Sequence, residues 1–175
     1  MRRLVIWLPQ AIFAAFVLTV ALQLRRPSEP LIRSKLIGKP LPAFVLPPAL
    51  PGKLGLDSRS LANGKPRIVN IFASWCIPCI VEAPQLMAIA RRGVPVDAIA
   101  IRDRPEDVAA FLARWGDPYR RIGADRNSQV QMALGSSGVP ETFIVDGAGI
   151  IRLQHIGEIR PEHVDTILAA YEAAR

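Results

Sequence analysis

The chain has two cysteines, Cys76 and Cys79, and both lie where a β-branched strand pattern gives way to a helical one, with Trp75 before them and Pro78 between. A disulfide stabilises a fold mainly by closing a long loop of unfolded chain, and this four-residue loop closes almost nothing. The pair therefore reads as a dithiol/disulfide redox centre rather than a structural staple. Any fold for this chain has to present it at a strand-to-helix junction.

The pattern around that junction alternates. Residues 67–73 (RIVNIFA) form a β-branched and aromatic run, residues 76–92 are helical with Val81, Leu86, Ile89 and Ala90 apolar, and residues 94–101 are again strand-like. Strand, helix and strand in so short a span make a βαβ unit. Arg104-Pro105-Glu106-Asp107 opens a further helix, with proline and acids in its first turn and Gly116 at its end. Residues 129–134 predict a short helix. Residues 141–145 and 150–155 predict two strands joined by the Asp146-Gly147-Ala148-Gly149 turn. A last helix starts near Pro161, with Val164, Ile167, Leu168 and Tyr171 on one face. Residues 43–46 suggest a short first strand and Asn63-Gly64-Lys65-Pro66 a turn. A βαβ unit, a hairpin and a closing helix, with Cys-x-x-Cys at the first strand-to-helix junction, is the order of a thioredoxin-like α/β fold with a central mixed sheet flanked by helices.

The amino terminus has a separate character. After Met1-Arg2-Arg3 come 21 residues, Leu4 to Leu24, without an ionisable side chain, followed by Arg25-Arg26. That length suits a transmembrane helix across a hydrocarbon core of about 30 Å. The alternative is a cleaved signal peptide, whose apolar region is shorter and ends in an A-x-A-like site, to which Thr19-Val20-Ala21 is the nearest approach. Both readings carry the rest of the chain out of the cytoplasm, and arginines on both flanks leave orientation open under the positive-inside rule. The expected organisation is an anchor over residues 1–26, a proline-rich tether over 27–40 and one domain over 41–175. A single soluble domain on an anchor suggests a monomer.

Charge argues against nucleic acid as a partner. The chain has 22 basic and 15 acidic side chains, but four of the arginines flank the apolar segment, leaving 18 against 15. No basic cluster interleaved with aromatics stands in the remainder. Metal and cofactor chemistry fare no better. A zinc site needs about four close ligands, and His155 and His163 are far from the cysteines in sequence. Ile80 rather than histidine follows Cys79, which removes c-type haem attachment. A Cys-His hydrolase requires His155 to fold over Cys76 and leaves the second cysteine unexplained. The expected redox group is the dithiol itself, with no cofactor and no metal.

The residue types suit thiol exchange. Cys76 falls at the amino end of a helix, where unpaired N–H groups and the helix dipole favour a thiolate, the form that attacks a disulfide. Pro78 fits a first helical turn because it needs no hydrogen-bond donor there. Cys79, one turn further in and more buried, would resolve the mixed disulfide formed by Cys76. Glu82 follows Cys79 by three residues and shares its helix face, so a partly buried carboxylate there would exchange protons with Cys79; the alternative is a solvated helix charge. Gly138-Val139-Pro140-Glu141-Thr142 lies just ahead of a strand. In a thioredoxin-like fold the Val139–Pro140 bond is expected to be cis and to pack against the dithiol, so that Val139 presents backbone to an extended substrate; the alternative is a trans proline that starts a strand. Trp75 is expected beside that substrate. Glu141 is a weaker candidate for shaping the same acidic pocket.

Asn70-Ile71-Phe72-Ala73-Ser74-Trp75-Cys76-Ile77-Pro78-Cys79, Glu82, Gly116-Asp117-Pro118-Tyr119 and the run Gly138 to Asp146 resemble the membrane-anchored thiol:disulfide oxidoreductases of cytochrome c biogenesis, called CcmG or DsbE. The resemblance implies a periplasmic, inner-membrane reductase that opens disulfides of apocytochrome c or of its assembly factors and is recharged by a transmembrane electron donor. It carries Cys76 over as nucleophile, Cys79 as resolving thiol, Pro140 as the cis proline, and Glu82 and Glu141 as acids near the dithiol. Two departures stand out. The family often reads Val-Tyr where this chain has Ser136-Ser137, and Tyr-Lys-Asp where it has Ile101-Arg102-Asp103. The alternatives are a general periplasmic thioredoxin-like reductase and a non-catalytic binding module of the same fold.

Overall fold

The computed structural model describes residues 2–24 and 34–175, with side chains in the first helix described for residues 7–23. Two units form: one ends at Leu31 and the other begins at Ile32. The first unit is helix α1, Arg2–Leu24, with Pro9 inside it. Its described side chains are exposed all round, Trp7, Phe13 and Phe16 among them. Its one hydroxyl, Thr19 Oγ1, donates back to the Ala15 carbonyl at 2.7 Å. Among the described residues, no helix is long and apolar enough to cross a membrane. Arg25 and Arg26, the basic flank of the expected anchor, lie outside the described residues.

The second unit is built on a five-stranded mixed sheet. Its strands are β3 (Arg67–Phe72), β4 (Val96–Ile101), β5 (Tyr119–Asp125), β6 (Glu141–Val145) and β7 (Ile151–Ile156), in spatial order β5-β4-β3-β6-β7. β3, β4 and β5 run parallel, while β6 and β7 are antiparallel to their neighbours. Helices α3 (Ile77–Arg91) and α4 (Pro105–Trp115) make the crossovers β3-α3-β4 and β4-α4-β5. α5 (Gln129–Ala133) leads to β6, and α6 (Pro161–Ala173) closes the chain. Every residue of β3 and β4 is buried, as expected for central parallel strands covered on both faces. Ile68, Ile71, Phe72, Leu86, Ile89, Ile99, Phe143 and Ile144 form the heart of the core, each at most 1% exposed. The two polar residues that β3 takes inside are paired: Arg67 Nη1 lies 3.1 Å from Asp97 Oδ2, and Asn70 serves the site described below.

Two parts of this unit depart from the sequence reading. The first is β5, which falls in a segment, YRRIGAD, too polar to show as a strand. It is a strand because both its sides are occupied. β4 pairs along one edge; on the other, Ala49 N–H donates to the Ile122 carbonyl at 2.9 Å and Ala124 N–H to the Pro47 carbonyl at 2.8 Å. Glycine at 123 permits that approach, since a Cβ there would stand 2.8 Å from the Leu46 Cβ. The covering segment includes β1 (Val45–Leu46) and β2 (Leu56–Asp57), an antiparallel pair followed by the short helix α2 (Ser58–Leu61). The second is the tether expected over 27–40. Residues 27–33 lie outside the described residues, but 34–40 are hydrogen-bonded into the domain. Gly38 N–H donates to the Ile151 carbonyl at 2.7 Å, Ile151 N–H to the Lys39 carbonyl at 3.0 Å, and Ser34 Oγ to the Leu134 carbonyl at 2.6 Å. Non-proline residues in this proline-rich stretch provide the donors and acceptors that dock it, so the domain starts ahead of residue 41.

Candidate active site

Cys76 is the N-cap of α3, with extended backbone (φ −87°, ψ 111°), and its Sγ accepts the Cys79 N–H at 3.2 Å. Pro78 stands in the first turn, as its missing donor predicts. The two cysteines are joined as a disulfide with Cα atoms 5.3 Å apart, so the structure is that of the oxidised protein. Cys76 is 4% exposed and Cys79 2%, so both are covered in this form rather than Cys79 alone. Around them the surface is apolar and open: Trp75 is 57% exposed and Ile77 73%, with Val81 also exposed.

The turn leading into Cys76 is held by a residue that follows the neighbouring strand β4. Asp103, in the β4–α4 connection, accepts from Ser74 N–H at 2.7 Å and from Ser74 Oγ at 2.5 Å. Burial pushes the Asp103 carboxyl above its usual range, opposed by these two donors. In the sequence Asp103 stood out only as part of the Ile101-Arg102-Asp103 run; in the structure it is the fixing point of the turn that carries Trp75 and Cys76.

Glu82 lies one turn beyond Cys79 and is fully buried. Its Oε1 accepts from Asn70 Nδ2 at 2.8 Å and its Oε2 from Ile159 N–H at 3.0 Å. Desolvation raises its pKa to about 7; the donors from Ile159 and Asn70 oppose the rise, and the charge of Glu158 adds a smaller push upward. The solvated-charge alternative for Glu82 is thereby excluded by its burial. Asn70 bridges further: its Nδ2 donates to Thr142 Oγ1 at 3.1 Å, and its Oδ1 accepts from Tyr119 Oη at 2.8 Å.

The Val139–Pro140 peptide bond is cis. Pro140 is buried, and its carbonyl accepts the Gly157 N–H at 3.0 Å. The stretch Gly157 to Ile159 therefore ties Pro140 to Glu82 through two N–H groups, a link that no pattern in the sequence announces. Glu141, buried at the start of β6, turns its carboxylate to the loop ahead of Pro140. Its Oε1 accepts from Ser137 N–H and Ser137 Oγ, both at 2.8 Å, and from Gly138 N–H at 3.2 Å; its Oε2 accepts from Gln154 Nε2 at 2.8 Å. In this geometry Glu141 clamps the Ser136–Val139 loop, a role different from the acidic-pocket one expected for it.

His155 is committed elsewhere. Its ring packs on that of His163, centroids 4.7 Å apart, and its Nε2 lies 3.2 Å from the Glu158 carbonyl. Among the described residues no group of three or more His, Cys, Asp or Glu is placed to hold a metal ion. Of the network around Glu82, Asn70 had a legible signal, a polar residue inside an apolar strand. Tyr119 stood in the Gly116-Asp117-Pro118-Tyr119 run already singled out, and Ile159 had no signal.

A cysteine pair at the start of a helix on this sheet, with a buried carboxylate one turn further along that helix and a cis Val-Pro bond just ahead of β6, defines a thioredoxin-like thiol:disulfide oxidoreductase. The chain belongs to the redoxin family: residues 36–170 match the family described as Redoxin. The thiol:disulfide interchange protein DsbE of Pseudomonas fluorescens biotype C is 38% identical over 180 aligned positions, covering 99% of this chain and 96% of that one. The thiol:disulfide interchange protein HelX of Rhodobacter capsulatus is 34% identical over 173 positions, covering 97% and 98%. Among solved structures, one described as a DsbE thiol:disulfide interchange protein from Chlorobium tepidum superposes with a TM-score of 0.66 at 26% identity, over 79% of this chain and 96% of that one.

Proposed function

We propose that this oxidoreductase works as a reductase in cytochrome c maturation, held at the inner membrane by its apolar amino-terminal segment with the redox domain in the periplasm. Cys76 thiolate attacks one sulfur of a disulfide in apocytochrome c or an assembly factor. The partner's S–S bond breaks, one partner thiolate leaves, and a mixed disulfide joins Cys76 to the partner. Cys79 then attacks the Cys76 sulfur while Glu82 takes the Cys79 proton; the second partner thiolate leaves and the Cys76–Cys79 disulfide remains. Two electrons pass from the dithiol to the partner, and a transmembrane dithiol donor restores them. Trp75, Val139 and Pro140 form the surface against which the partner's cysteine segment lies. The dithiol serves without a further cofactor, and the protein acts as a monomer.

The observation that carries this reading is Glu82, fully buried one turn past Cys79 with a pKa near the pH at which a proton must change hands. The test is the reduction potential of the Cys76/Cys79 pair in the full-length protein, together with c-type cytochrome levels in a strain lacking it. A potential near thioredoxin's, about −270 mV, with loss of c-type cytochromes is expected. A potential near about −120 mV, or normal cytochromes, would overturn the reading.

A further inference from the structure

Gly116-Asp117-Pro118-Tyr119 has so far taken no part in the thiol chemistry. Tyr119, the first residue of β5, is 5% exposed. Its ring stacks on Phe72, centroids 5.1 Å apart, which lays it along the face of β3 that also bears Asn70, two residues before Phe72. Its hydroxyl donates to Asn70 Oδ1 at 2.8 Å. Burial pushes that hydroxyl well above the ordinary phenol pKa, so it stays a donor.

A side-chain amide has one accepting end and one donating end. With Oδ1 anchored on Tyr119, Nδ2 points the other way, to Glu82 Oε1 at 2.8 Å and Thr142 Oγ1 at 3.1 Å. The direction of the Asn70 amide is thus decided by a residue that does not hydrogen-bond Glu82. We propose that Tyr119 is a positioning residue for the redox reaction: by holding the Asn70 amide with its nitrogen toward Glu82, it makes that carboxylate meet a donor rather than an acceptor. The consequence for turnover rests on the reading above of Glu82 as proton partner of Cys79.

A donor favours the charged carboxylate, whereas an acceptor favours the protonated acid. The other titratable groups whose charges act on Glu82 or feel it are Tyr119 itself and Glu158 from the loop after β7, the latter held by Arg160 and near His155; Cys79, one turn back on α3, is tied up in the disulfide. With phenylalanine at 119, Asn70 Oδ1 loses its donor. The amide is then free to turn, its oxygen accepting hydrogen bonds from the Thr142 hydroxyl and from protonated Glu82. Glu82 becomes a weaker acid and gives up its proton only at higher pH.

The test is Tyr119→Phe in the full-length protein, with the Glu82 carboxyl carbon followed by NMR across its titration. The midpoint is expected to rise by about half a pH unit or more. Asn70→Ala should raise it as well, and Tyr119→Phe should add nothing on the Asn70→Ala background, because Tyr119 acts through the amide. An unmoved midpoint in Tyr119→Phe, or an equal further rise on the Asn70→Ala background, overturns the proposal. In parallel, the pH profile for resolution of a mixed disulfide on Cys76 is measured for Tyr119→Phe and Glu82→Gln. A profile that ignores both, with the NMR midpoint still displaced, supports the positioning and sinks the proton role of Glu82, so the two failures are told apart.

Discussion

Glu82 and Glu141 are both buried carboxylates that the resemblance puts near the dithiol, yet the protein has put them in opposite situations. Glu141 is met by four donors, two N–H groups and a hydroxyl on its loop and the Gln154 amide from the neighbouring strand. Glu82 is met by two, and these do not offset its desolvation. A carboxylate saturated with donors is a building element, because removing its charge strands every partner. One with fewer donors in a dry site is poised to change its proton. Adjacency to the dithiol is therefore a poor guide to an acid's role, and the donor count is a better one.

The largest consequence belongs to Glu82 and concerns stability. Its pKa in the oxidised fold is about 7 against 4.5 for the ordinary group, so the fold prefers it protonated. A raised folded-state pKa contributes stability that is fully present below about pH 4.5 and is lost as pH rises through about 7. The shift corresponds to about 3 kcal/mol. Urea unfolding of the oxidised protein at several pH values should show that decline, and Glu82→Gln should flatten it. A slope unchanged by the substitution would place the titration elsewhere.

Glu141→Ala comes next and should break the comparison from the other side. Its four donors lose their acceptor, three of them on a partly solvated loop, for an expected loss of about 2 kcal/mol. The pH slope assigned to Glu82 should survive in that variant. If Glu141→Ala instead abolished the slope, the division of labour between the two acids would be wrong. The smallest effect is expected of Ser137→Ala, which removes one hydroxyl donor from Glu141 and leaves the Ser137 N–H in place. About 0.5 to 1 kcal/mol is expected in the same unfolding measurement, with thiol-exchange rates unchanged. A marked loss of exchange rate would show that the Ser137 hydroxyl meets the partner directly.

The redox junction was legible because its signals are local. A β-branched and aromatic run marks β3, and proline in the first turn marks the helix start that makes Cys76 an N-cap. The hairpin turn was equally local: Asp146 Oδ1 accepts from Ala148 N–H, inside the four residues read as a turn, and from Ile150 N–H just after them, both at 2.9 Å. β5 was not legible, because it owes its strand state to partners on both edges rather than to its own composition.

What the amino-acid order determined by itself is the identity and spacing of the two cysteines and the helix start at which Cys76 sits, all set by neighbours in the chain. What only the tertiary structure decided is how the two acids are used. Glu82 meets Asn70 from 12 residues away and Ile159 from 77, and Asn70 meets Tyr119 from 49. Hydrogen bonds across such separations leave no period in the sequence. They exist because packing α3 and the loop after β7 against the sheet removes water from Glu82 and leaves only these donors to replace it.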